Sequence, residues 1–147
     1  MRKAIVMALT VLMSGCSMIQ SDDNEATKAA VAWGEAFFNC NYHEAEQYCT
    51  PESAYWLKFA ASNTTQHDLD LLAHQSATVE ATDYFPEAND TLRIVELRVN
   101  HALKLSALGS AVQQADESLY HIVVVKHEGS WKVRMAGLPR SERQSRD

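Results

Sequence analysis

His67, Asp70 and His74 fall at i, i+3 and i+7, a spacing that sets two imidazoles and a carboxylate along one stripe of a helix. Such a set suits Zn²⁺, but a structural zinc takes four ligands and no cysteine lies nearby. The same residues read equally as the wet side of a helix whose Leu69, Leu71 and Leu72 turn inward, so no metal and no cofactor is expected. Two further histidines fall on strand-like apolar alternation: His101 shares parity with Val95, Leu97, Val99, Leu103 and Leu105, and His121 with Val123 and Val125. An imidazole titrates near neutrality and serves as a general base when a carboxylate orients it. No such partner is evident from spacing. Both therefore read as pocket-wall or core residues rather than catalysts. Asp83, Tyr84, Tyr55 and Tyr120 add the carboxylate and phenols that acid–base chemistry would use. Trp33, Phe37, Trp56, Phe59 and Trp131 are aromatics that line a pocket or fill a core. The candidate pocket set is thus Trp33, Phe37, Tyr55, Trp56, Tyr84, His101 and His121. Gly-x-Ser-x-Gly, Gly-rich phosphate and Cys-x-x-Cys patterns are absent, and no catalytic residue is assigned.

The chain has three cysteines. Cys40 and Cys49 would pair if exposed to an oxidising compartment. If residues 42–49 are helical, however, the chain advances about 10 Å between them, more than the roughly 7 Å that a disulfide spans. A bond across an irregular helix and two small buried hydrophobes both remain open. Cys16 has a different setting. Arg2 and Lys3 precede an apolar run over residues 4–13 that is broken only by Thr10. A bilayer takes about 20 apolar residues, so ten read as a signal-peptide core rather than a span.

That run ends in Leu12-Met13-Ser14-Gly15-Cys16, which resembles a bacterial lipobox, with Met13 standing where leucine is usual. The resemblance implies cleavage before Cys16 and acyl chains on Cys16, enough for stable anchoring to a leaflet. Residues 1–15 are then a lipoprotein signal peptide and residues 16–25 a lipidated cysteine with a polar tether. Ser17 is not the aspartate that retains some lipoproteins in the inner membrane, so the outer membrane of the cell envelope is expected, on its periplasmic side or at the cell surface.

At 147 residues there is room for one domain with a real core. Thirteen basic residues against 19 acidic give −6, and loss of Arg2 and Lys3 leaves 11 against 19, or −8. An acidic domain excludes the electrostatic footprint of a nucleic-acid binder. It also weighs against surface adhesion to anionic lipid, so a membrane link must be covalent.

These residues need elements to position them. Ala26, Ala30, Trp33, Phe37 and Cys40 step by four and three along an amphipathic helix, with Asp22, Asp23 and Asn24 as cap candidates. A short helix follows over 42–49. Thr50-Pro51-Glu52 signals a third start, and Thr64 or Thr65 caps a fourth helix ending near His74. From Val79 the texture turns to strands. Residues 92–105 read as one long strand whose phase slips, and one extra residue near Ile94-Val95 would keep its apolar set on one face. Residues 119–127 and 131–135, joined by Glu128-Gly129-Ser130, read as a β-hairpin. The run Ile122–Val125 is apolar on both parities, as in a strand covered on both faces. The fold class is α+β, with N-terminal helices packed on a curved antiparallel sheet of about four strands. The domain is expected over residues 26–138, followed by a polar tail at 139–147.

The stretch AVAWGEAFFNCNYHEAEQYCTPES over residues 30–53 and the closing VVVKHEGSWKV over 123–133 are similar to the helices and last hairpin of the nuclear transport factor 2-like superfold. The resemblance covers roughly residues 26–138 and extends to small lipoproteins of that layout. It implies a cone in which a bent sheet wraps the first helix. Function does not follow, because the superfold hosts isomerases, cyclases, dehydratases and inert binding modules. The expectation is a lipid-anchored, non-catalytic module that takes a small apolar ligand or an envelope protein partner. Two alternatives are a homodimer formed through the open sheet face and an isomerase-, dehydratase- or cyclase-type enzyme in the cone.

Overall fold

The computed structural model describes residues 17–86, 89–104 and 113–141, so the expected signal peptide, the expected lipidation site Cys16 and most of the expected tail lie outside the described residues. Helix α1 (Ser17–Phe38) runs against all four strands of an antiparallel sheet. It buries Ala26, Ala30 and Trp33, as the four-and-three spacing requires. A Cβ added at Gly34 would stand 3.0 Å from Leu97 Cδ1 and 3.1 Å from Val79 Cγ1, so glycine is what lets the helix lie this close to the sheet. Helices α2 (Tyr42–Glu46), α3 (Ala54–Ser62) and α4 (Gln66–His74) follow, with a 3-10 turn at Pro51–Ser53 leading into α3. Thr50 does not cap that turn with its side chain. Its hydroxyl instead shares a 2.7 Å hydrogen bond with Ser53 Oγ, both fully buried, and Ser53 Oγ accepts Met135 N–H at 2.9 Å.

The sheet has the order β1-β2-β5-β6, with β1 (Thr78–Pro86), β2 (Leu92–Asn100), β5 (Glu117–His127) and β6 (Ser130–Val133). Strands β3 (Leu103–Lys104) and β4 (Gln113–Gln114) form a separate two-stranded ribbon. The β5–β6 turn is Glu128-Gly129, both with φ above zero, at 49° and 81°. That is the two-residue primed turn that matches strand twist. The core under α1 is made by Val95, Leu97 and Val99 of β2, Ile122 and Val124 of β5, and Val133 of β6.

Three expectations are corrected here. The register shift lies in β1 between Ala81 and Asp83, whereas β2 pairs with β5 without a slip. Leu92 and Ile94 therefore stay on the face opposite Val95, Leu97 and Val99, and that second face carries an apolar stripe that no element covers among the described residues. For the same reason β5 is central in the sheet but, among the described residues, covered on one face: Val123 and Val125 are half-buried while Ile122 and Val124 are buried. The long strand also stops early. β2 ends at Asn100, and His101 adopts φ 62°, turning the chain into β3.

Residues 17–25, expected as a tether with the caps of α1, lie inside the helix. Asp22 and Asp23 bind the sheet rather than the helix end. Asp23 Oδ1 accepts from Tyr84 OH at 2.5 Å and from Arg93 Nε at 3.3 Å, and Lys126 Nζ lies 3.1 Å from Asp22 Oδ2. Arg93 and Lys126 both stand over the Trp131 ring, 5.3 and 5.6 Å from its centroid.

Candidate ligand cleft

Asn39 begins the site by holding the end of α1 to the start of β1. Its side-chain amide acts as a peptide, donating to Ala77 O at 3.0 Å and accepting Ala77 N–H at 2.8 Å. Cys40 then takes φ 61° and ends the helix, the left-handed position that closes helix C-termini. This turn sets Phe37, Phe38, Cys40 and Tyr42 side by side. Phe37 stacks on Trp33 at 4.8 Å and meets Tyr42 edge-on at 5.7 Å, while Phe38 lies 4.6 Å from the Tyr120 ring of β5.

The opposite wall comes from the α3–α4 junction. Thr65 and Asp68 form a capping box at the start of α4: Asp68 N–H donates to Thr65 Oγ1 at 3.3 Å, and Thr65 N–H donates to Asp68 Oδ2 at 2.8 Å. Thr64 Oγ1 donates to Ala60 O at 2.9 Å and lies 2.9 Å from Tyr42 OH, which also reaches Cys40 Sγ at 3.4 Å. Between the two walls is an open cleft of about 280 Å³, lined also by Leu103, Lys104, Leu138 and Pro139. At roughly 30 Å³ per water that is space for about nine waters, or a ligand of similar heavy-atom count.

Two phenols in it are held neutral. Burial pushes the Tyr42 hydroxyl well above its ordinary range, helped by the Cys40 contact and by the negative charge of Asp68. Burial also raises Tyr120. Asp68 is 7 % exposed, and its Oδ1 is buried with no hydrogen-bond partner among the described residues.

No family model matches the sequence, and no curated protein does. Among solved structures the chain is similar to a protein of the NTF2-like (nuclear transport factor 2-like) family from Streptomyces avermitilis, described there as a candidate dehydratase. The TM-score is 0.45 at 12 % identity, over 78 % of this chain and 91 % of that one.

Of the pocket set expected from sequence, Phe37 lines the cleft. Trp33 stands behind it in the core, 1 % exposed. Tyr55 is largely exposed on α3, packed edge-on against Trp56, which in turn meets Phe59. Tyr84 is committed to Asp23, and burial together with that contact pushes its hydroxyl up to about 12. His101 Nε2 pairs with the Gln75 side chain at 3.0 Å. His121 lies on the open sheet face, 3.1 Å from Glu96 Oε2, and Glu96 Oε1 accepts from Thr82 Oγ1 at 2.7 Å. Neither imidazole lines the cleft.

Cys40 and Cys49 are free thiols in this structure. The α2 helix separates them, and each has its own neighbour: Cys40 Sγ takes Tyr42 OH, and Cys49 Sγ donates to Glu46 O at 3.6 Å. Among the described residues no group of histidine, cysteine and carboxylate side chains has metal-binding geometry, and Asp70 is bonded to Gln66. No described helix is long and apolar enough to cross a membrane.

Tyr42, Asp68 and Lys104 were not singled out by sequence, and Thr64 entered only as a cap candidate, a role that Thr65 fills. Thr65-x-x-Asp68 carried a signal, but that signal announces a helix start and says nothing of what the carboxylate faces.

Proposed function

We propose that this protein is a lipid-anchored, non-catalytic module of the bacterial cell envelope, held by acyl chains on Cys16 at the outer membrane, that binds a small and largely apolar ligand in the α1–α3–α4 cleft. The observation that carries the reading is the cleft itself: aromatic walls from Phe37, Phe38, Tyr42 and Tyr120 with a few polar groups converging on one end. Ligand sites generally have this make-up. The anchor rests on the basic residues, apolar run and lipobox-like Leu12–Cys16 stretch. The element order, helices first and then a four-stranded meander, supports placing the domain with the nuclear transport factor 2-like superfold.

Each half has its own test. Cys16→Ser should move the protein from the membrane to the soluble envelope fraction and abolish incorporation of labelled palmitate; unchanged fractionation sinks the anchor. Asn63 is an exposed residue on the cleft wall, so Asn63→Trp should close the mouth while leaving the core intact. Binding of 2-phenylethanol, followed by amide shifts in NMR, should be lost in that variant. Equal binding by both proteins would place the ligand elsewhere.

A second reading is favoured by the face opposite α1. There Leu92, Ile94, Val123 and Val125 are half-buried and Phe85 is 39 % exposed, an apolar stripe with no element over it among the described residues. A second copy of this chain, paired face to face, would cover it.

A further inference from the structure

Resting on the cleft reading above, we propose that the ligand carries an ammonium group, and that this group is drawn to the Asp68 carboxylate with its apolar body among the rings. The capping box of α4 explains one carboxylate oxygen and not the other. Oδ2 accepts Thr65 N–H, which is all the cap requires. Oδ1 is buried and has no hydrogen-bond partner among the described residues, in a side chain that lines the cleft. A buried charged acceptor left unmade is costly, and a charge-assisted hydrogen bond is the strong kind. A ligand ammonium brought to this under-bonded carboxylate therefore recovers free energy that a purely apolar ligand cannot.

The rest of the cleft agrees in sign. Its hydroxyls are already engaged with one another, Tyr42 with Thr64 and Cys40, and Thr64 with Ala60 O. Neutral phenols and phenyl rings offer π-faces that attract a cation and do nothing for an anion. A carboxylate ligand would meet Asp68 as a like charge. Lys104 is the cleft's other charge. It is exposed, so water screens its charge.

Three probes of near-equal size separate the possibilities: 2-phenylethylammonium, 2-phenylethanol and phenylacetate, titrated into the whole protein at neutral pH. The ammonium should bind about tenfold more tightly than the alcohol, and phenylacetate most weakly. In Asp68→Asn, whose amide oxygen can still accept Thr65 N–H, the ammonium's advantage over the alcohol should vanish. A wild-type protein that binds all three alike, or phenylacetate best, overturns the ammonium assignment and leaves the cleft standing. Binding of none of the three overturns both. If Asp68→Asn does not fold, wild-type NMR decides. Nuclear Overhauser contacts from the methylene beside the probe nitrogen should reach Asp68 Hβ, and contacts to Lys104 alone overturn the assignment.

Discussion

Thr65 and Asp68 show how one pair of side chains starts a helix and furnishes a binding wall at once. The cap is worth about 1 kcal/mol in most hosts. Thr65→Ala should therefore lower the urea-derived unfolding free energy by about that amount, and no change in the midpoint would mean the box contributes nothing here. Cys49 makes a second residue-scale case. Burial, then the nearby Glu46, pushes its thiol up to about 11, so at neutral pH very little thiolate is present. Iodoacetamide should leave Cys49 unmodified in the native protein and label it in denaturant, as peptide mass spectrometry would show. Rapid labelling of native Cys49 would contradict the burial. Glu96 supplies the pH dependence. The Thr82 hydroxyl, then His121, holds its carboxyl below 4.5. A carboxylate bound more tightly in the folded state adds stability above its unfolded value, and the addition fades as pH falls through the folded one. Wild type should exceed Glu96→Gln in stability at pH 6, by no more than about 1 kcal/mol for a part-exposed network. The gap should close on acidification below 4.5; a gap that widens there would reverse the assignment.

At the scale of elements, α1 is both the best-read part of the chain and the part that repays a test. Gly34 would gain about 1 kcal/mol of helix propensity on becoming alanine, but its Cβ would meet Leu97 and Val79 at 3.0 and 3.1 Å. Overpacking of that kind costs about 1–3 kcal/mol. Gly34→Ala should thus come out neutral to mildly destabilising, and Gly34→Leu strongly so; a stabilised Gly34→Leu would mean the helix does not lie where it is placed. Local periodicity made α1, the α4 cap and the β5–β6 turn legible, because each is decided by residues within one or two turns of chain. Non-local choices were not. The phase slip in 92–105 reads as a bulge only if the strand has a single apolar face, whereas Leu92 and Ile94 belong to a second apolar face that alternation alone cannot distinguish from a slip. Asp22 and Asp23 looked like cap and tether residues, since nothing nearby in sequence reveals Arg93, Tyr84 and Lys126 as their partners. The cleft was half legible: Phe37 and the cysteine that turns the helix end lie in strongly patterned sequence, whereas Asp68 and Tyr120 meet only once the sheet has closed under α1.

For the whole molecule the open question is what covers the sheet face away from α1. That face mixes an apolar stripe, Ile94, Val123, Val125 and Phe85, with a flanking polar network of Glu96, His121, Arg98 and Glu80. A face of this composition is soluble enough to survive alone and apolar enough to gain from pairing, at about 25 cal/mol for each Å² of apolar surface removed from water. The cost of association sets the threshold, and acyl chains on Cys16 would lower it by confining copies to one leaflet, where effective concentration is high. Pairing should accordingly be measurable but weak in solution and stronger on a membrane. With Cys16→Ser protein, sedimentation equilibrium should show a monomer–dimer exchange that Val123→Lys removes, because a buried, unpaired ammonium at the middle of the stripe costs more than the stripe gains. Val123 is half-buried, so the melting temperature of the monomer should move little. If Val123→Lys leaves the dimer intact, the pairing uses another surface. If wild type stays monomeric both at high concentration and on vesicles in its lipidated form, the apolar face is covered by a different protein.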